Sequence, residues 1–473
     1  MSGLRERLLR LRGGAGTSLE GREPAANGAV PAAQPTDDAA ETTAANVGGS
    51  APPEADAGQA ETPGDAVSAP EADWLALGAE TACNARGSFV LRRAVFPAEH
   101  VHGRYRLGEL ADALPRLAPV TERQNRRRTD LAAAPLTAER ALFLDLETTG
   151  LGVGTGNVPF LIGLAYVESG AFVLEQAFIR HPGEERAALA HLLERLEGRT
   201  HLVTFNGRAF DWPLLTGRFI LNGWRPTGEG PRHLDLLQPS RALWRYVLPS
   251  CRMSVIEEDR LGIEREDDIP GSLAPALYFR FLQDGDPAHV AGVFAHNERD
   301  LLTLAALAVY FGRLAGGEAS PAETHGRTAA ELYGAAAWLD AHGWHERAEP
   351  LFREIARREE PGIYRWWLAA ADRWKRLGRY EEAVPLWEKA AALAERAKWP
   401  APDAHIQLAI HYEHRRKDPS AALVYAERAL QLVAGSPMAR NGTRAAAERE
   451  AIRHRVKRLR RKCSGSSAVE NPN

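Results

Sequence analysis

Cysteine is scarce in this chain, with Cys83, Cys251 and Cys463 the three among 473 residues. Widely separated, they form neither a CxxC pair nor a disulfide framework, and a reducing cytosol is the expected setting. Long hydrophobic runs are also missing. The longest, residues 301–311, falls well short of the ~20 residues that span a bilayer, so no transmembrane helix and no membrane partner are expected. The amino terminus, MSGLRERLLRLRG, lacks the continuous apolar core of a signal peptide, which argues against secretion. Charge of one sign is not in excess: 59 Lys and Arg against 62 Asp and Glu leave a formal −3. No global field advertises nucleic acid, and any such partner must be served by a local patch. Residues 13–70 contain no aromatic side chain to seed a core and read as a disordered leader behind a short basic helix. The series Gly150, Gly152, Gly154, Gly156 lacks the GxGxxG spacing of a dinucleotide loop, no GK[ST] follows it, and it reads as a flexible turn.

What is present is a globular composition, 44% hydrophobic and 26% charged, over a length that predicts two or three folded units. Residues 71–137 read as a small β-containing segment packed on the next domain, since 88–97 alternate like a strand before the His100-Val101-His102-Gly103 turn. The basic run RQNRRR, residues 123–128, closes it. Residues 138–315 alternate strands with helical stretches. ALFLDLE is a buried strand, LIGLAYVESGAFVLEQAFI is two more joined at Ser169-Gly170, residues 184–196 form an amphipathic helix, and HLVTFNG is a further strand. This predicts an α/β domain, a mixed sheet flanked by helices. Helical text dominates from Leu273 onward.

Residues 329–435 carry a repeat. Trp367, Ala371, Trp374, Gly378, Tyr380, Ala383, Trp387 and Ala390 stand in the order of a tetratricopeptide unit. Leu332, Ala336, Leu339, Gly343, Ala348 and Phe352 repeat it one period upstream, and Ala409, Ala422 and Ala429 echo it downstream. Seven of the 11 tryptophans lie between Trp338 and Trp399, which predicts a helix-pair core of its own. Residues 436–473 read as a basic helix, RHRVKRLRRK at 453–462, and a disordered tail.

The chemistry concentrates in three motifs. In LFLDLETTG, Asp145 and Glu147 are two apart on a strand, so both carboxylates emerge on one face. Two anions that close repel, an apolar sheet cannot solvate them, and hard cations such as Mg²⁺ or Mn²⁺ prefer such oxygen ligands. In FNGRAFDWPLL a strand breaks at Asn206-Gly207 and Asp211 opens a helical run. In HNERDLLTL, His296 and Asp300 lie four apart, on one helix face.

Taken in order, LDLETTG, NGRAFDWPLL and HNERDLLTL resemble the motifs of the DEDD exonuclease superfamily with its ribonuclease H-like fold. HLDLLQPSRALWR, LPSCRMSVIEEDRLG, REDDIPGSLAPALYFRFLQDGD and the following helical repeats are similar to the YprB-type ribonuclease H-like proteins. The resemblance implies that Asp145, Glu147, Asp211 and Asp300 hold two ions, Mg²⁺ or Mn²⁺, for phosphodiester hydrolysis. Asp145 would bridge both. His296 would orient or deprotonate water, although its three-residue spacing to Asp300 resembles the tyrosine branch of the superfamily and its identity the histidine branch. Thr148, Asn206, Arg126, Arg127 and Arg128 are the expected substrate contacts, and the basic helix at 453–462 a further phosphate contact. The implied function is a metal-dependent 3′-5′ exonuclease on single-stranded DNA or RNA in the cytoplasm, with a protein partner on the tetratricopeptide-like repeats. Two other readings fit the same residues: a catalytically weak binding scaffold acting through the repeats, or a structure-selective endonuclease, since the fold hosts several cleavage modes.

Overall fold

In the computed structural model the described residues are 71–127, 134–150, 156–224, 230–265, 268–318, 328–397, 399, 401–434 and 443–466. The leader, residues 1–70, and the end of the tail lie outside them, as do Arg128, Gly152 and Gly154. The described residues all belong to the second of two units, Asp65–Asn473.

Nine strands form among them: β1 (Ala79–Asn84), β2 (Gly87–Phe96), β3 (Val101–His102), β4 (Tyr105–Arg106), β5 (Ala141–Thr148), β6 (Pro159–Glu168), β7 (Ala171–Phe178), β8 (His201–Thr204) and β9 (Arg232–Asp235). Seven of them make one mixed sheet in the order β1-β2-β7-β6-β5-β8-β9, and β3 and β4 pair separately. β5, β6 and β7 form an antiparallel meander, whose second turn is Ser169 and Gly170, both at positive φ. β8 and β9 then join parallel to β5. This is the mixed, helix-flanked sheet of a ribonuclease H-like fold. The β-containing segment before residue 138 is hydrogen-bonded into this sheet, because β2 runs antiparallel to β7 from Val90 opposite Phe178 to Phe96 opposite Phe172. The added hairpin covers what would otherwise be an open sheet edge.

Strand alternation sorts β5 between two cores. Leu142, Leu144 and Leu146 face a cluster built with the helices Glu185–Leu196, Asp211–Leu221 and Ala274–Asp284. Ala141 and Phe143 face the other cluster, with Leu304, Ala305 and Ala308 of the 26-residue helix Ala291–Gly316. By the same alternation Asp145 and Glu147 point to the side of that helix.

The carboxy-terminal region is all-helical. The helices Ala329–Ala341 and His345–Arg357, then Ile363–Arg376 and Tyr380–Ala397, then Asp403–His411 and Pro419–Ala434 pack as successive hairpins, and Thr443–Ser466 lies on the last. The first two turns carry Gly343 and Gly378 at φ of +88° and +76°, a conformation that favours glycine. Trp338, Trp366, Trp367, Trp374 and Trp387 are buried between these helices, whereas Trp399 is exposed. One hydrophobic cluster runs without a break from Tyr105 through the helix Ala291–Gly316 to Leu408, so the α/β part and the first helix pairs share a core. Among the described residues no helix is long and apolar enough to cross a membrane.

Candidate active site

β5 lies between β6 and β8, and its carboxyl end carries the first two acids. The ladder to β6 keeps register through Asp145 opposite Gly163 and Glu147 opposite Leu161, then shifts before Thr148. Such an irregularity at a strand end re-aims the side chains around it. Asp211 is the first residue of the helix Asp211–Leu221, and His296 and Asp300 come down from the helix Ala291–Gly316. The four acids are electrostatic neighbours. Burial lifts Asp145 well above the ordinary carboxylate range, and the charges of Asp300, Glu147 and Asp211 add to it. Burial, then Asp300 and Asp211, pushes Glu147 up to about 8. Burial is also the main cause at Asp211, raised to about 7, and at Asp300, where His296 and Arg265 oppose it.

Asn297 supports the first acid. Its Nδ2 donates to Asp145 Oδ2 at 2.8 Å, and its Oδ1 accepts from Gln176 Nε2 at 2.9 Å. The amide lies directly over Gly163, where a Cβ would stand 2.1 Å from Asn297 Oδ1. Glycine is required there for packing reasons. His296 is held at Nδ1 by Asp268, 3.0 Å from Oδ1, and its Nε2 is 3.7 Å from Asp300 Oδ2. Arg265 also approaches Nδ1, at 3.3 Å. Nδ1 thus meets a carboxylate acceptor and a guanidinium donor, with Asp268 the nearer, and Nε2 lies on the side of the acids.

The expected substrate contacts are placed unevenly. Asn206, at φ +68°, donates its backbone N–H to Asp235 Oδ1 at 2.8 Å, in the turn that delivers Asp211. Asp235 also accepts from Leu237 N at 3.1 Å, so it serves the strand end. Thr148 donates its hydroxyl to Gly150 O at 2.8 Å. Arg126 and Arg127 are exposed just beyond Gln124, whose amide bonds the Asp235 backbone at the same sheet end. Arg128 falls outside the described residues. The basic helix is largely committed elsewhere: Arg455, Arg458 and Lys462 lie 3.4, 2.6 and 2.7 Å from buried Glu413, and Arg460 lies 2.8 Å from Glu427. Those ion pairs hold the helix Thr443–Ser466 to its neighbours, while Arg458, Arg460 and Lys462 keep 43%, 66% and 48% of their side chains exposed.

Sequence reasoning missed Asn297, Gly163, Glu257, Arg265 and Asp268. Arg265 donates to Asp300 and Asp268, both at 2.6 Å, and to Glu257. REDD, the acid-rich run that contains Arg265 and Asp268, was the visible signal.

The donor set fits a hard divalent cation. Among the described residues no Arg, Lys or His pairs with Asp145, Glu147 or Asp211 in an ion pair of 4.0 Å or less, so buried anions stand there without a counter-charge. Nor do three His, Cys, Asp or Glu side chains among the described residues stand together as a ready metal cage. Asp145 is turned to Asn297 and Asp300 to Arg265.

Residues 142–311 match a family model described as RNase_H superfamily. Over 397 residues the chain is 32% identical to the uncharacterized protein YprB of Bacillus subtilis (strain 168), covering 83% of this chain and 90% of that one.

Proposed function

The chain belongs to the same family as YprB and carries an RNase_H superfamily domain, and from that premise we propose that it is a metal-dependent nuclease, a 3′-5′ exonuclease on single-stranded DNA or RNA. One observation carries the reading: acids far apart in sequence, Asp145 and Glu147, Asp211, and Asp300, meet at one strand end, and all four hold their protons unusually tightly there. A structural role does not account for four neighbouring carboxylates, Glu147 buried and the three aspartates partly so, against one guanidinium.

In this proposal Asp145, Glu147, Asp211 and Asp300 would hold two Mg²⁺ or Mn²⁺ ions. When bound, the ions supply Lewis acidity and a water acidified to hydroxide at neutral pH. The remaining work falls to side chains. His296 accepts a proton at Nε2, and Asp268 positions the imidazole through Nδ1. Asn206, Thr148, Arg126 and Arg127 contact the substrate backbone, Arg128 continuing that run. Phe210, directly before Asp211 and 47% exposed, offers a ring on which a base of a single strand can stack. The helical hairpins beyond residue 329 are read as tetratricopeptide-like and as the seat of a protein partner, with the cytoplasm as the site of action.

The test is cleavage of 5′-labelled single-stranded DNA and RNA with Mn²⁺ or Mg²⁺, beside Asp145→Ala and a chelator control. A ladder shortening from the 3′ end is expected, absent in both controls. Discrete internal cuts would assign an endonuclease, and intact binding without cleavage would leave a scaffold.

A further inference from the structure

Arg265 sits between three acids. Its Nη2 donates to Asp300 Oδ1 at 2.6 Å and to Glu257 Oε1 at 2.9 Å, its Nη1 donates to Asp268 Oδ2 at 2.6 Å, and its Nε donates to the second Glu257 oxygen. The side chains of Arg265, Asp268 and Asp300 are 14%, 11% and 14% exposed and that of Glu257 is 0% exposed, so water screens this contact weakly. A guanidinium presents a planar fork of donors and keeps its charge at any working pH. The four proposed ion ligands are therefore unequally compensated. Asp300 has a resident cation within hydrogen-bond reach, whereas Asp145, Glu147 and Asp211 have none among the described residues.

We propose that Arg265 is an internal counter-cation that occupies Asp300 in the ion-free protein, so that divalent ions load in order. The first ion goes to Asp145, Glu147 and Asp211. A second requires Asp300 to leave Arg265. Glu257 and Asp268 keep the guanidinium neutralised when that happens, so Asp300 is released at the loss of one charge-assisted bond and Arg265 need not move into solvent. Thr303, which donates its hydroxyl to Glu257, fixes that acid from the helix that carries Asp300. The inference rests on the metal-dependent reading and adds to it a sequence of events and a residue that sets their spacing.

The experiment is Mn²⁺ titration of the full chain, with free ion read by electron paramagnetic resonance. Wild type is expected to take one ion tightly and a second about tenfold or more weakly, a gap of at least about 1.4 kcal/mol. Arg265→Gln alone strands the buried Glu257, so the variant is Glu257→Gln with Arg265→Gln, its fold checked by circular dichroism. There the gap is expected to shrink to about threefold or less, a change of roughly 0.7 kcal/mol or more. A measurement on unmodified protein decides the matter independently: the Arg265 Nε resonance should move with the second equivalent of Mg²⁺ and not with the first. Two equally tight ions in wild type, an unchanged gap in the folded variant, or an Arg265 signal that moves with the first equivalent would overturn the ordering and leave the metal-dependent reading intact. No ion bound by either protein would overturn both.

Discussion

Stripping divalent ions and raising the pH should destabilise this protein, and the sign follows from the site. Glu147 and Asp211 titrate at about 8 and about 7 in the folded chain, against ordinary values of 4.5 and 3.8. Between those limits the folded state binds protons that the unfolded chain has released, so stability falls as pH rises through the window. Below about pH 4 both states are protonated and the penalty is absent. Each group contributes up to ~1.4 kcal/mol per pH unit, and over about pH 5.5 to 7, where both are engaged, the ceiling is about 4 kcal/mol. The acids repel one another and lose protons as a set, so the measured drop belongs to the cluster. The assay is chemical denaturation in chelator across that range, repeated with excess Mg²⁺. In chelator the midpoint should fall with pH. With Mg²⁺ the ionised ligands are compensated and the profile should flatten and rise with ion concentration. A flat profile in chelator, or an unchanged slope in the Glu147→Gln, Asp211→Asn double variant, would refute the reasoning.

Gly163→Ala should force Asn297 off Asp145, since the added carbon would lie 2.1 Å from Asn297 Oδ1. The loss of that buried contact is worth about 1–3 kcal/mol, and a double-mutant cycle with Asn297→Ala, read by denaturation and Mn²⁺ affinity, should show strong coupling. Gly334→Ala should strain the joint between the helix Leu237–Trp244 and the helical region, because its Cβ would meet the Leu243 carbonyl oxygen at 2.5 Å, an atom of the backbone that cannot swing aside. About 1–3 kcal/mol of stability should be lost, with faster limited proteolysis between the two regions and ion binding unchanged.

Much of the sheet was legible because β5 to β8 are apolar runs with clear ends, and Ser169-Gly170 is a turn that sequence alone identifies. Asp145 and Glu147 were legible for a local reason, since a strand places alternate residues on one face. Asp268, Arg265 and Glu257 were not. Their meeting with His296 and Asp300 depends on how the segment before the helix Ala274–Asp284 folds back on the helix Ala291–Gly316, and no spacing rule encodes that. Asn297 was hidden because its role depends on Gly163, 134 residues away, being too small to keep it out. The basic helix is ambiguous for the opposite reason. A cationic run reads the same whether it faces a phosphate or a buried glutamate, and only packing supplies Glu413.

These contacts divide the site into two halves of different rigidity. Asp145 and Glu147 sit on an interior strand and are paired there with Gly163 and Leu161 of β6, and Asp145 is further held by an amide that Gln176 holds in turn. Nothing in that half can adjust without disturbing a packed sheet. Asp300, His296, Asp268 and Arg265 instead bind one another through exchangeable charged contacts, with the imidazole and two carboxylates gathered on one guanidinium. In such a network a donor released by one acid has another acid beside it. In the proposed mechanism the half that would admit the second ion is the half whose partners are charged side chains, while the other half is built into the sheet. The proposed exonuclease, which would accept one nucleotide after another, would need both properties at one site, and the division between strand and helix would supply them.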